Sequence, residues 1–265
     1  IYGPFDRKHD LQEVAIIQNG ERVPTVKTGR TGGLPYMGIG WYRTFFDVEN
    51  FQSEKQIVTL KFDGAMSEAR VYVNGKEVCF WPYGYNTFHC DITEVLNADG
   101  KNNLLAVRLE NKPESSRWYP GAGLYRNVHV IQTNKIHVPV WGTYITTPFV
   151  STEYASVHLR TEIAGNHKDI RIITEIRDAD NKVVASKDNR QQLNHGRPFE
   201  QNFIIEDPKL WSPETPYLYT ATSTLFVDGK QTDEYTTRFG IRDIQFIADK
   251  GFFLNGQRRK FQGVC

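Results

Sequence analysis

Val71-Tyr72-Val73-Asn74-Gly75-Lys76-Glu77-Val78-Cys79 is the stretch that decides the fold class. An Asn-Gly pair between two short runs of apolar and β-branched residues predicts a two-residue hairpin, because a type I′ turn needs φ > 0 at both central positions and these residues tolerate it best. Outward from this hairpin the same texture continues. Trp41 to Val48, Ile57 to Phe62, Ala69 to Val73, Leu104 to Glu110 and Asn127 to Gln132 alternate apolar and polar residues, as strands with one buried and one wet face do. Gly, Asn, Asp and Pro punctuate the runs, and no segment longer than about ten residues holds a 3.6-residue apolar period. One helical turn is expected at Asp91 to Leu96, capped by Asp91 or Thr93.

From residue 133 to 137 the composition turns polar, and a second series follows: Ile136 to Thr147, Ala155 to Ile163, Ile170 to Arg177, Val183 to Lys187, Phe199 to Ile205, Tyr217 to Val227 and Thr232 to Phe239. Seven short strands in about a hundred residues match an immunoglobulin-like sandwich. This series contains no cysteine, so packing is expected to hold its sheets together, with Trp141 and Trp211 as core anchors. Ile244 to Ile247 and Gly251 to Gln257 then frame another Asn-Gly turn that belongs to neither series. The expected organisation is all-β: a jelly-roll sandwich over 1–134, an immunoglobulin-like sandwich over 135–242, and the lead-in to a further domain over 243–265.

The 265 residues are 39% hydrophobic and 24% charged, with a net charge of +1, and the longest basic run is Arg258-Arg259-Lys260. No electrostatic footprint for nucleic acid exists in such a chain. No stretch approaches the roughly 18–20 apolar residues that a membrane helix needs, so the reading is of a soluble chain without a membrane partner. Ile1-Tyr2-Gly3-Pro4 has neither the charged nor the apolar region of a signal peptide, and the chain stops within the apolar run Phe261 to Cys265. It therefore reads as an excised fragment. Cys79, Cys90 and Cys265 are too scattered for a disulfide scaffold, and buried free thiols are preferred to a Cys79–Cys90 bridge.

Five segments carry a family resemblance: Gly40-Trp41-Tyr42-Arg43; Val71 to Gly75; Trp118-Tyr119-Pro120-Gly121-Ala122-Gly123-Leu124-Tyr125-Arg126-Asn127-Val128; Leu210-Trp211-Ser212-Pro213-Glu214-Thr215-Pro216-Tyr217-Leu218-Tyr219; and Gly251 to Val264. Phe239-Gly240-Ile241-Arg242 adds a closing strand. In this order the chain resembles family 2 glycoside hydrolases. The resemblance implies a sugar-binding jelly roll, an immunoglobulin-like domain and a (β/α)8 barrel that holds both catalytic carboxylates. It implies a retaining β-glycosidase as parent, β-galactosidase first, with β-mannosidase and β-glucuronidase sharing the domain order. The catalytic residues then lie beyond Cys265, this fragment alone is inactive, no cofactor is needed, and the partner is a β-galactoside met through the full-length protein, with a homo-oligomer as one assembly the resemblance allows. A periplasmic or secreted compartment is preferred to the cytoplasm.

Read by themselves, acid pairs such as Asp178 and Asp180, Glu153 and Glu162, or Asp233 and Glu234 sit in turns and on wet strand faces. His89, His129, His137 and His158 read as ordinary strand positions, and no metal-ligand spacing is present. The most function-like segment is Ser115 to Gly123, which joins a cation, two large aromatics and glycines. Ser116, Arg117, Trp118 and Tyr119 are the candidate substrate-binding residues: aromatic faces stack on sugar C–H groups, and a guanidinium donates in a fixed fork. The competing reading is that Trp118 and Tyr119 plug a domain junction while Arg117 or Arg126 pairs with a carbonyl or an acid. The family's best-known β-galactosidase has an Asp and an Asn at the places aligned near Ser116 and Met37, and neither is kept. A stand-alone carbohydrate-binding module is the alternative from another class. Phe252-Phe253-Leu254 and Phe261 to Cys265 are expected to promote self-association through an unpaired strand edge.

Overall fold

The computed structural model describes residues 13–26, 38–111, 123–165, 169–191 and 197–263. The chain divides into two units, Ile1–Thr133 and Asn134–Cys265. In the first, β1 (Glu13–Gln18) and β2 (Glu21–Val26) form a hairpin. The sandwich comprises β3 (Gly38–Phe46), β4 (Gln56–Phe62), β5 (Ala69–Val73), β6 (Lys76–Trp81), β7 (Phe88–Asp91), β8 (Asn103–Asn111) and β9 (Val128–Asn134). One sheet runs β3-β8-β5-β6 and the other β7-β4-β9, giving the jelly-roll sandwich. Strict alternation builds its core: Val58, Leu60 and Phe62 of β4 and Ala69, Val71 and Val73 of β5 are buried while their neighbours face outward. Phe88 stacks on Phe62 at 4.8 Å between ring centroids and on Trp81 at 5.7 Å.

Asn74 and Gly75 have φ of 50° and 82°, as the type I′ turn requires. Asn74 does more than turn the chain. Its Nδ2 donates to the Val95 carbonyl (2.8 Å) and to Asn103 Oδ1 (2.9 Å), and its Oδ1 accepts from the Leu104 amide (2.9 Å). The hairpin tip is thereby tied to the 93–104 loop. The helical turn expected at Asp91 to Leu96 is a single 3-10 turn, Thr93–Val95. Asp91 Oδ1 accepts from the Thr93 amide (2.9 Å), two residues on, so it acts through an Asx turn rather than as the residue directly before the helix. Cys79 and Cys90 are bridged, which corrects the expectation of free thiols. The fold brings them together because β6 and β7 lie in opposite sheets, so the bridge staples the sandwich across its interior.

The second unit holds β10 (Thr143–Val150), β11 (Tyr154–Thr161), β12 (Ile170–Arg177), β13 (Val183–Gln191), β14 (Phe199–Glu206), β15 (Tyr219–Val227) and β16 (Lys230–Phe239). Its sheets run β10-β11-β14 and β13-β12-β15-β16, an immunoglobulin-like arrangement of three and four strands. Val157, Leu159, Ile176, Phe203, Ile205, Tyr219 and Ile241 form one part of the core; Ile170, Ile172, Phe199 and Leu225 form another. The sheets are also joined by a buried polar chain. Thr174 Oγ1 donates to Gln201 Oε1 of the facing sheet (2.6 Å) and is 2.9 Å from Ser223 Oγ, and Gln201 Nε2 donates to Asn189 Oδ1 (2.9 Å).

Neither proposed tryptophan anchors this core. Trp141 is 59% exposed in a turn, with φ of 62°, and Trp211 is half-buried beside Arg242, whose guanidinium lies 4.9 Å from its ring centroid. Both precede strands instead of occupying inward strand positions. The remaining sheet, β17 (Ile244–Ile247), β18 (Gly251–Leu254) and β19 (Gln257–Arg259), turns at Asn255-Gly256. Asn255 Nδ2 donates to the Trp211 carbonyl (3.0 Å), and Arg259 pairs with Glu214 (2.5 Å), so the hairpin is fastened to the turn before β15. Among the described residues, no helix is long and apolar enough to cross a membrane.

Candidate functional site

Three connections of the first unit meet at one rim: residues 63–68, 82–87 and 123–127. They are locked by backbone pairing and by close approaches that only glycine permits. Met66 and Gly123 exchange amide-to-carbonyl bonds in both directions (3.0 and 2.9 Å). The Tyr125 ring crosses Gly64 so closely that a Cβ there would lie 2.6 Å from its Cζ, and the Met66 thioether fills the same space at Gly84. Tyr125 Oη donates to the Gly84 carbonyl (2.7 Å). The result is a group of tyrosines held at the surface: Tyr83, Tyr85 and Tyr125 are 56%, 47% and 44% exposed. Tyr83 and Tyr85 meet edge to face at 5.6 Å, and the Arg126 guanidinium lies 5.4 Å from the Tyr125 ring centroid.

Beneath this rim, His129 Nε2 is 2.8 Å from Asp63 Oδ2 and Lys61 Nζ is 3.2 Å from Asp63 Oδ1. The hydrogen bond to His129, helped by Lys61 against desolvation, holds the Asp63 carboxyl below the usual carboxylate range. The Asp63 amide donates to the Asn127 carbonyl (3.0 Å), joining the first and third connections.

Ser116, Arg117, Trp118 and Tyr119 lie outside the described residues, as does Met37. Their described flanks are informative. Gly38, which follows Met37, pairs directly with Asn111, the last residue of β8. Gly123, the first described residue after Asn111, lies inside the rim, bridged to Met66. Tyr125 and Arg126 belong to the motif that the sequence singled out; Tyr83 and Tyr85 were missed. Two aromatics around a glycine carry no recognisable motif, and nothing in the sequence places residue 83 near residue 125. Chemically, the rim offers ring faces for sugar C–H groups and one guanidinium fork.

In each acidic pair considered from sequence, one member makes a structural contact and the other is exposed. Asp178 Oδ1 accepts from the Asp180 and Lys182 amides (3.0 and 2.9 Å), and Glu162 pairs with Arg160 (3.0 Å). Asp233 is half-buried instead of freely solvated, and its Oδ2 accepts from the Val138 amide (2.7 Å). His158 pairs with Glu200 (2.5 Å) across β11 and β14.

Residues 25–134 match the model of the glycosyl hydrolases family 2 sugar-binding domain, and residues 137–242 match that of glycosyl hydrolases family 2. The chain belongs to glycosyl hydrolase family 2. Its relatives include the β-galactosidase BoGH2A of Bacteroides ovatus, 37% identical over 90% of this chain and 28% of that protein. A putative β-glucuronidase of Formosa agariphila is also 37% identical, over 89% of this chain and 22% of that one. The structure of a family 2 member from Bacteroides cellulosilyticus superposes with a TM-score of 0.78 at 36% identity, covering 83% of this chain and 29% of that one. A family 2 β-glucuronidase superposes with a TM-score of 0.77 at 28% identity. The chain thus spans between a fifth and a third of the length of these relatives, all of them glycoside-processing proteins.

Proposed function

We propose that this chain is the non-catalytic N-terminal part of a retaining β-glycosidase, a β-galactosidase first, in which residues 1–134 and 135–242 are the two accessory sandwiches and 243–265 opens the catalytic barrel. The observation that carries the reading is the succession of two family 2 domains followed by a fastened three-stranded sheet, beside which Phe246 and Phe261 are exposed and cluster with the half-buried Phe252. A retaining glycosidase needs two carboxyl groups about 5–5.5 Å apart, one a nucleophile and one an acid/base. Both are assigned to the barrel, and the fragment alone is expected to be silent.

In this reading the tyrosine rim and the segment bearing Ser116, Arg117, Trp118 and Tyr119 contribute contacts to the edge of the substrate pocket. β-Glucuronidase is the runner-up, favoured by relatives of that name at 37% and 29% identity. The test is hydrolysis of nitrophenyl β-galactoside, β-mannoside and β-glucuronide by the parent reading frame continued past Cys265, beside the present chain. Cleavage of the galactoside by the longer protein alone supports the proposal. Turnover by the fragment, or silence of both, refutes it and turns attention to a binding module.

A further inference from the structure

The outward face of sheet β3-β8-β5-β6 carries an ordered set of side chains apart from the tyrosine rim. Strand register places Trp41, Arg108, Arg70 and Phe80 in one row across all four strands. Three inter-strand steps make this row about 14 Å long. The adjoining row holds Arg43, Ala106, Tyr72 and Glu77. Ala106 leaves room for Trp41 and Tyr72 to approach diagonally, with ring centroids 5.6 Å apart. Trp41 and Phe80 remain 39% and 40% exposed.

The cations of this face are oriented in advance. Arg70 lies 4.5 Å from the Phe80 centroid and donates to Glu77 (2.7 Å), and Arg108 donates to Glu110 (2.9 Å). Arg43 lies 5.8 Å from the Trp41 centroid and has no carboxylate partner among the described residues. Two ordered forks reduce the entropy lost when a ligand is held. Two glutamates against three arginines leave the face one positive charge in excess, next to the Trp41 ring.

Along this row the order reverses that of a protein–protein interface, where the centre is apolar and charges lie at the rim, while Ile39 and Phe45, 44% and 64% exposed, extend the apolar edge along β3. Here the paired arginines occupy the middle of the row and the aromatic rings its ends. We propose that this face is a second carbohydrate-contact surface, which takes an acidic oligosaccharide: one pyranose stacks on Trp41 with its carboxylate on Arg43, and the chain continues over Arg108 and Arg70 toward Phe80. The row's length suits several sugar units, the ring face supplies C–H stacking, and the surplus cation selects a uronate over a neutral sugar.

Titration calorimetry of the 265-residue chain with trigalacturonate, with cellotriose as the neutral counterpart, tests this. Trigalacturonate is expected to bind saturably and more weakly as salt is added. Arg43→Gln, a surface change that leaves the fold intact, should weaken trigalacturonate about tenfold and leave cellotriose unchanged. Trp41→Ala should weaken both. Absence of saturable binding, or affinity for trigalacturonate that neither variant alters, overturns the proposal. So does shielding of Trp41 from acrylamide quenching in the parent protein, which would make this face a domain interface.

Discussion

Asn74→Gly separates what the hairpin tip owes to its backbone from what it owes to its side chain. Glycine keeps φ > 0 without strain, so the substitution removes only the three hydrogen bonds to Val95, Asn103 and Leu104. At about 0.5–1.5 kcal/mol net for each bond, reduced because water reaches this half-buried site, the loss should be about 2 kcal/mol, with roughly 0.5 kcal/mol more from glycine's greater freedom in the unfolded chain. Gly75→Ala is the complement. No atom lies within 4 Å of the added Cβ, and φ is 82°. Its cost is therefore purely conformational, about 1 kcal/mol. Urea unfolding, with hydrogen exchange read at the Leu104 amide, distinguishes the two: Asn74→Gly should expose that amide selectively, and Gly75→Ala should not. If Asn74→Gly costs less than about 0.5 kcal/mol, the side-chain network adds nothing to stability.

Thr174→Val should destabilise the second unit by about 2 kcal/mol, because Gln201 Oε1 is left buried without its donor; Thr174→Val with Gln201→Leu should cost less than the sum of the single changes. The Cys79–Cys90 bridge closes a short loop of sequence separation 11, so Cys79→Ser should cost about 3 kcal/mol in urea unfolding under non-reducing conditions. The Asp63 and Asp188 carboxyls are held below their ordinary range by His129 and Arg171 respectively, so the stability they add is present above about pH 4 and lost as pH falls through their folded values. The urea midpoint should therefore fall from pH 5 to pH 3, with Arg171→Gln removing part of that loss. Phe246 and Phe261 are each 73% exposed, and their rings cluster with Phe252. Sedimentation should show concentration-dependent association of this chain that Phe246→Asp reduces, and a clean monomer at high concentration would contradict this.

Alternation and turn chemistry are local properties, and they carried the reading of the fold. The seven strands of the second sandwich, the Asn74-Gly75 hairpin and the Asn255-Gly256 turn all follow from which side chains sit two residues apart and which residues accept φ > 0. The short strand Phe88–Asp91 escaped notice because four residues hold too little pattern to stand out. Order along the chain was likewise enough to recognise glycosyl hydrolase family 2, since the motifs recur in a fixed succession.

What depends on distance across the fold was not legible. Cys79 meets Cys90 only because β6 and β7 close opposite sheets, and Thr174 meets Gln201 only because two strands 27 residues apart in sequence face each other. The same holds for the rim. Tyr125 was visible as part of a motif, but Gly64, Met66 and Gly84 mattered only once the ring was seen to press against them. Trp141 and Trp211 show the converse error, in which size and hydrophobicity suggested burial while their places in connections, a turn for Trp141 and the stretch beside Ile241 for Trp211, kept them out of the core. Period and turn type are set within a few bonds of each residue and can be read from the string. Pairing between sheets, close approach at glycine and the exposure of a given ring are set by which segments the completed sandwich brings together.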